Sequence, residues 1–202
     1  MPAMRIIFSC LLASVLFSPL TRAQTPAGAP VFGVTPVHSN IRFQVKASVD
    51  IKGRFDKWGA TLTFQSPDVS TGALEIRIQA DSVDTGSGMK NGKLKGKDFF
   101  DVEHYPEMVF TSTKIVQATP DHFEVDGNLT IKGVSNPEKL TLIVSHKESH
   151  LGDIDGKIIF NRKNYGMNKG IPFISIADLV EINFYLKIKH VSGPQLALKT
   201  QQ

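Results

Sequence analysis

Cysteine is nearly absent from this chain of 202 residues, because Cys10 is its one cysteine. Cys10 lies in an N-terminal segment typical of a cleaved signal peptide, in which Arg5 precedes a mostly apolar stretch that ends at Ala23. The stretch is short for a membrane span of about 20 residues, and an uncleaved anchor is the alternative. Cleavage after Ala23 would leave no thiol, which excludes cysteine catalysis, disulfides and cysteine metal sites.

The excess of basic over acidic residues is also small. The formal net charge is +4, and loss of residues 1–23 would lower it by two charges, because Arg5 and Arg22 leave with no acidic residue. So small a charge gives little reason to expect a nucleic-acid partner, and export to the periplasm argues further against one. We expect a signal peptide at 1–23, a loose leader at 24–31, one domain at 32–190 and a frayed tail at 191–202.

The motifs of several enzyme classes are missing or incomplete. Ser87 to Lys90 matches S-x-x-K, but the companion S-D-N and K-T-G elements are absent. Gly92-Lys93 and Gly96-Lys97 lack both the first glycine and the Ser/Thr of a P-loop. None of the six histidines falls in H-x-H or H-E-x-x-H. We therefore expect no catalytic residue, no metal ligand and no enzymatic activity.

What the sequence has in abundance is strict alternation of apolar and polar residues. In residues 123–132, Phe123, Val125, Leu129 and Ile131 share one side, and polar residues occupy the other. Because successive strand residues point to opposite faces, such runs predict half-buried strands. Strands are predicted at residues 41–46, 51–56, 58–65, 74–80, 107–117, 122–132, 139–146, 155–161 and 179–189. Many strands with few helices predict an all-β fold, an antiparallel barrel of about eight strands.

Three segments interrupt the alternation. Residues 87–100 predict a short helix or an ordered loop. Residues 133–137 predict the turn between two strands, because they begin with glycine and end with proline. Residues 162–172 predict a second irregular excursion.

The alternation also predicts which side chains fill the barrel. A small barrel can be filled entirely by side chains or can hold one ligand, and both alternatives stay open here. The predicted inward residues are Phe43, Val45, Leu62, Phe64, Ile76, Ile78, Phe110, Leu129, Ile131, Phe160, Ile182, Phe184 and Leu186. Lysines at 90, 93, 95 and 97 form either a solvated face or a basic rim that attracts an anionic head group, and Phe99 and Phe100 follow them.

Several short motifs, in this order and spacing, resemble those of the YceI-like family of exported, lipocalin-like polyisoprenoid-binding proteins. The matching pieces are His38-Ser39, Lys52-Gly53-Arg54-Phe55, Ser82-Val83-Asp84-Thr85, Leu94 with Lys97-Asp98-Phe99-Phe100-Asp101, Tyr105-Pro106, the run from Val125 to Val134, and Arg162-Lys163-Asn164-Tyr165-Gly166-Met167. The resemblance covers about residues 32–190. It implies a lipocalin-like barrel that binds a long isoprenoid chain and needs no cofactor.

The resemblance implies a ligand such as an isoprenoid quinone or a polyprenyl phosphate, for transport, storage or envelope stress response. Its tail would lie among the inward residues and beside Phe99 and Phe100. Its head would lie near Lys90, Asn91, Lys93 or Arg162. A membrane redox protein and a second copy of the chain are candidate partners. An exported hydrolase of a lipid or amide, and a ligand-free structural barrel, are the alternative functions.

Overall fold

The computed structural model describes residues 28–48, 50–145, 151–170 and 175–200. The predicted signal peptide lies outside these described residues. No helix within them is long and apolar enough to cross a membrane.

The described chain forms one antiparallel sheet with a single α-helix, α1, at Gly88–Lys95. The strands are β1 Val31–Val34, β2 Asn40–Ala47, β3 Ile51–Phe55, β4 Trp58–Thr63, β5 Ala73–Gln79, β6 Val83–Asp84, β7 Glu107–Gln117, β8 His122–Ile131, β9 Val134–Ser145, β10 Leu151–Asn161 and β11 Ile176–Ser192.

The sheet closes on itself through β1. This strand pairs with β4 through Val31 and Thr63, and with the C-terminal part of β11 through Phe32 and His190. The closed ring therefore contains eight strands: β1, β4, β5 and β7 to β11. β2, β3 and β6 extend the sheet from the N-terminal part of β11. This architecture confirms the predicted antiparallel barrel of about eight strands with a short helix.

The alternation places the apolar face of each strand inside the barrel. In β8, Val125 and Ile131 are fully buried, while Asn128 between them is exposed. The inward position between Val125 and Leu129 is Gly127, and it has no room for a side chain. A Cβ there would lie 2.5 Å from Cζ of Phe110 and 2.6 Å from the Thr111 carbonyl oxygen. Glycine is therefore required where the ring of Phe110 crosses the strand.

The turn between β8 and β9 is shorter than the predicted segment 133–137. Only Lys132 and Gly133 lie outside the strands, both with positive φ, as a two-residue hairpin turn requires. Pro137 belongs to β9. Pairing of β9 with β10 starts at Leu140, so Pro137 interrupts no ladder on that side.

The two predicted irregular excursions are both present. α1 occupies the first half of the segment 87–100. The second excursion starts with a 3-10 turn, Arg162–Tyr165, which Gly166 ends with a φ of 72°. Its residues 171 and 172 lie outside the described chain.

Replacing Gly127 with alanine should lower the free energy of unfolding by about 1–3 kcal/mol, because the new Cβ overlaps Phe110 and backbone. Gly59, on the exposed face of β4, is the matched control, since nothing lies within 4 Å of a Cβ there. We expect Gly59→Ala to leave stability unchanged or raise it slightly. Urea unfolding of both variants measures the difference, and equal losses would contradict the packing argument.

Candidate functional site

One end of the barrel contains an apolar cavity of about 360 Å³. Its walls come from the strand ends of β4, β7, β9 and β11 and the strand starts of β8 and β10. Of the residues that line it, only His190 and Gln195 carry polar side chains. The lining residues are Phe32, Leu62, Phe64, Val69, Ile115, Phe123, Leu142, Val144, Leu151, Gly152, Ile154, Ile188, His190, Gln195, Leu196 and Leu198.

Three rings form one wall of this cavity. The centroids of Phe32 and Phe64 are 5.8 Å apart, and those of Phe32 and His190 are 5.3 Å apart, both in edge-to-face contact. Such contacts stabilise ring pairs by about 0.5–1.5 kcal/mol beyond the burial of their surface. The wall is therefore held in place by its own packing.

The loop between β4 and β5 supplies another side of the cavity through Val69, which is 7% exposed. This loop is fixed by Asp68, whose carboxylate accepts a hydrogen bond of 2.8 Å from the backbone N–H of Ser70. That bond lowers the pKa of Asp68. The hydroxyl of Thr71 also donates to the carbonyl oxygen of Asp68 at 2.7 Å. The loop thus presents Val69 to the cavity from a hydrogen-bonded turn.

A C-terminal strap, residues 194–200, crosses the mouth of the cavity. Gly193, with a φ of 86°, immediately precedes it, and a Cβ there would overlap the carbonyl oxygen of Ala29. Along the strap, Leu196 and Leu198 point to the cavity and are half-buried, whereas Ala197 between them is exposed. The strap was expected to be frayed, and the structure instead shows it packed over the barrel.

Hydrogen bonds fix the far end of the strap. The backbone N–H of Ala197 donates to the carbonyl oxygen of Pro67 at 2.9 Å. Gln117, at the end of β7, accepts from the N–H of Lys199 at 2.8 Å and donates to its carbonyl oxygen at 3.3 Å. The Lys199 ammonium donates to the Gln117 carbonyl oxygen at 2.8 Å. The strap is therefore joined to the β4–β5 loop and to the end of β7.

The middle of the barrel is filled by side chains. The space left there is about 10 Å³, at the lower limit of what one water molecule needs, about 10–15 Å³. The residues around it are Ile76, Ile78, Met108, Phe110, Leu129, Ile131, Leu140, Ile158, Ile182 and Phe184. This midsection forms the floor of the cavity.

The opposite end of the barrel lies beneath α1 and has a smaller space of about 40 Å³. Val180, near the start of β11, lines it, whereas Ile188 lines the large cavity. Eight strand residues separate these two positions, roughly 26 Å at 3.3 Å per residue. The large cavity and the α1 end are therefore distinct regions.

The structure distributes the predicted tail-binding residues over all three regions. Leu62 and Phe64 line the large cavity. Ile76, Ile78, Phe110, Leu129, Ile131, Ile182 and Phe184 surround the midsection. Phe43, Val45, Phe99, Phe100 and Phe160 lie at the α1 end, together with Ile182, and Leu186 is buried in the core.

The predicted head-group residues lie at the α1 end. The Asn91 amide oxygen accepts from the backbone N–H and the hydroxyl of Thr85, at 2.8 and 2.7 Å. The Lys93 ammonium donates to Asp98 at 2.9 Å, which lowers the pKa of Asp98. Lys90 is exposed on the surface of α1. Asn91 and Lys93 thus stabilise the local fold around α1, and their role toward a ligand stays a prediction.

Arg162 is buried, with 6% of its surface exposed. Its guanidinium donates to the carbonyl oxygens of Ala177 and Lys169, both at 3.1 Å, and to that of Met167. It also contacts the Asp178 carboxylate at 3.3 Å. The side chain therefore holds the chain segment between β10 and β11 against the barrel.

Most residues around the large cavity were not among the predicted site residues. Ile115, Phe123 and Ile188 carry the same inward alternation and could have been included on that signal. Leu196 and Leu198 also alternate with polar or small residues, but they follow the last long strand. The sequence has no signal for which end of the barrel stays open, because packing from several strands decides it.

The profile of the YceI-like domain family matches residues 32–188. The chain belongs to the YceI-like family. The match ends just before the strap.

Relatives and solved structures agree with this assignment. A UPF0312 protein of Pectobacterium atrosepticum is 31% identical over 105 residues, which cover 51% of this chain and 54% of that protein. The chain thus spans about half the length of this curated relative. The crystal structure of Burkholderia cenocepacia BcnA matches with a TM-score of 0.69 and 28% identity, over 77% of this chain and 99% of that one.

A further structure shares the fold at lower identity. It is a polyisoprenoid binding domain from Saccharophagus degradans, implicated in plant cell wall breakdown, with a TM-score of 0.61 and 18% identity. The match covers 79% of this chain and 98% of that domain. At this identity the likeness shows the fold alone.

Replacing Arg162 with methionine should lower the free energy of unfolding by about 2–4 kcal/mol, because the carbonyl oxygens of Ala177, Met167 and Lys169 lose their donor. Lys90→Met on the exposed face of α1 is the control and should change it by less than about 0.5 kcal/mol. Chemical denaturation of the two variants gives the values. If both changes are equally small, Arg162 does not stabilise the loop.

Replacing Gln117 with alanine should release the strap. We expect hydrogen exchange at the Lys199 amide to accelerate at least tenfold, since this N–H loses its acceptor. Lys199→Met keeps that backbone hydrogen bond and should accelerate exchange less. Hydrogen–deuterium exchange with mass spectrometry resolves the C-terminal peptide, and unchanged exchange in Gln117→Ala would show that other contacts hold the strap.

Proposed function

We propose that this protein binds the apolar tail of an isoprenoid lipid in the large cavity, in the periplasm, after removal of its signal peptide. The observation that carries the proposal is a largely apolar cavity of about 360 Å³ at the strap end of a YceI-like barrel. Ligand sites for small molecules have volumes of about 300–1,000 Å³ and mostly apolar walls. The Saccharophagus domain of the same fold is described as polyisoprenoid binding, which supports this ligand class.

The position of the cavity favours a ligand that enters from the strap end. The barrel midsection blocks passage from the α1 end, since it leaves about 10 Å³. The polar head group would then lie at the mouth, near His190 and Gln195, and outside the apolar walls. Placement of the head beside Lys90, Asn91, Lys93 or Arg162 stays a separate prediction.

Binding without covalent chemistry fits the side chains at this cavity. Among the described residues that line it, His190 and Gln195 alone are polar, and Nε2 of His190 lies 3.3 Å from the carbonyl oxygen of Pro194. A nucleophilic mechanism needs a nucleophile within about 3 Å of a base. Burial of a tail needs only apolar surface, at about 0.8 kcal/mol for each CH₂ group. Transport, storage and stress response are all compatible uses of such binding.

Native mass spectrometry of the protein isolated from a bacterial periplasm, followed by organic extraction, tests this function. We expect a discrete adduct whose extract contains an isoprenoid, on a chain that begins at Gln24. Val144→Trp should reduce the adduct at least tenfold, because the indole would occupy the cavity that Val144 lines.

Ile143→Trp is the matched control, since Ile143 precedes Val144 on β9 and is 43% exposed on the outer face. This variant should keep the wild-type adduct. A wild-type protein that carries no isoprenoid, and takes none up on incubation, would overturn the proposal in favour of a ligand-free barrel. Detection of a membrane redox protein or a dimer in the same spectra would identify the partner.

A further inference from the structure

We propose that the strap is a lid over the lipid in the large cavity, and that its hydrogen bonds to Gln117 form a latch whose opening sets how fast the lipid enters and leaves. This inference rests on the proposed function and specifies how the same site exchanges its ligand. The YceI-like profile matches residues 32–188, so the strap lies outside the matched domain. The lid is thus built from residues beyond the part of the chain that the family shares.

The strap lies where a bound tail would contact it. Leu196 and Leu198 line the cavity and are half-buried, whereas Ala197 between them is exposed. The volume of about 360 Å³ is the space that remains with the strap in place. The two leucines therefore cover the mouth without filling the cavity, as a lid over a ligand must.

The strap begins at a fixed pivot. Ser192, the last residue of β11, pairs with Val31 of β1. Gly193 then adopts a φ of 86°, and a Cβ there would overlap the carbonyl oxygen of Ala29. Residues 194–200 belong to no strand, so motion beyond this pivot leaves the pairing of the barrel intact.

The far end of the strap is held chiefly by the side chain of Gln117, which is 6% exposed. Its amide accepts from the N–H of Lys199 at 2.8 Å and donates to the carbonyl oxygen of Lys199 at 3.3 Å. It also donates to the carbonyl oxygen of Pro120 at 3.1 Å, and this bond does not involve the strap. The bonds to Lys199 contribute little net free energy, because water replaces them when the strap lifts. The latch therefore opens more readily than the barrel unfolds.

The latch and the leucines have different effects on binding. Opening of the latch uncovers the mouth, so a weaker latch accelerates entry and release together and changes affinity little. The side chains of Leu196 and Leu198 contact the tail only when the lid is closed over it. Their loss therefore accelerates release and also weakens affinity, because buried apolar surface is lost.

The test follows the exchange of bound geranylgeranyl monophosphate for its deuterated form by native mass spectrometry, after the protein is delipidated and reloaded. Gln117→Ala removes the latch, and we expect exchange at least about fivefold faster, with a dissociation constant within about threefold of wild type. Deletion of residues 194–202 removes the lid and keeps the barrel, and should accelerate exchange at least about tenfold. The deletion also serves if Gln117→Ala does not fold.

The double variant Leu196→Ala/Leu198→Ala should accelerate exchange and weaken binding at least about fivefold. Ala197→Ser is the matched control on the exposed side of the same strap, and it should keep the wild-type rate and affinity. In the wild-type protein, the ligand should slow hydrogen exchange at the Lys199 amide, because contacts with the tail hold the lid closed. A strap with only a structural role would not respond to the ligand.

The outcomes separate the lid from the proposed function. Wild-type exchange rates in both Gln117→Ala and the deletion variant would overturn the lid and leave isoprenoid binding standing, because the lipid then passes by another route. Acceleration by the deletion alone would overturn the role of Gln117 as the latch. A wild-type protein that neither carries an isoprenoid from the periplasm nor takes up geranylgeranyl monophosphate would overturn the proposed function and the lid together.

Discussion

The pairing of β11 is the constraint on which the barrel depends. This strand pairs with β10 on one side along the register from Leu179 to Lys189. On its other side it pairs first with β2 and then with β1. The ring is therefore closed only because β10 pairs with one edge of β11 and β1 pairs with the other. Loss of the β1 pairing would open the cavity end, where Phe32 and His190 meet.

The interior of the barrel is not one continuous cavity, because large side chains fill its middle. The inward glycines of β8 and β10 leave room that the rings of Phe110 and Phe184 occupy. These rings lie at the middle of the barrel, where they and eight other side chains leave a space of only about 10 Å³. Toward the strap end the inward residues do not meet across the barrel, and a cavity remains. The distribution of bulk along the barrel thus decides where a ligand can lie.

Charged residues stabilise the α1 end and the loops. Lys93 pairs with Asp98, and the Arg162 guanidinium donates hydrogen bonds to backbone carbonyl oxygens. A buried guanidinium that bonds to several carbonyl oxygens fixes a loop, because leaving any of these oxygens without a donor costs free energy. Lys93 and Arg162 thus stabilise the fold, a role that the basic composition of their segments does not reveal.

The sequence by itself determined nine of the eleven described strands, the inward side chains and the family, because alternation is a local property that each of those strands displays in its own residues. It did not predict the short strands β1 and β6. It also located the helix and the irregular segment at Arg162. Only the tertiary structure decided that β1 closes the ring, that the strap covers one end and that the predicted ligand residues separate into three regions. These features depend on side chains from strands far apart in sequence, such as Phe32, Phe123 and Leu198, and no periodicity within one segment records how closely such side chains pack.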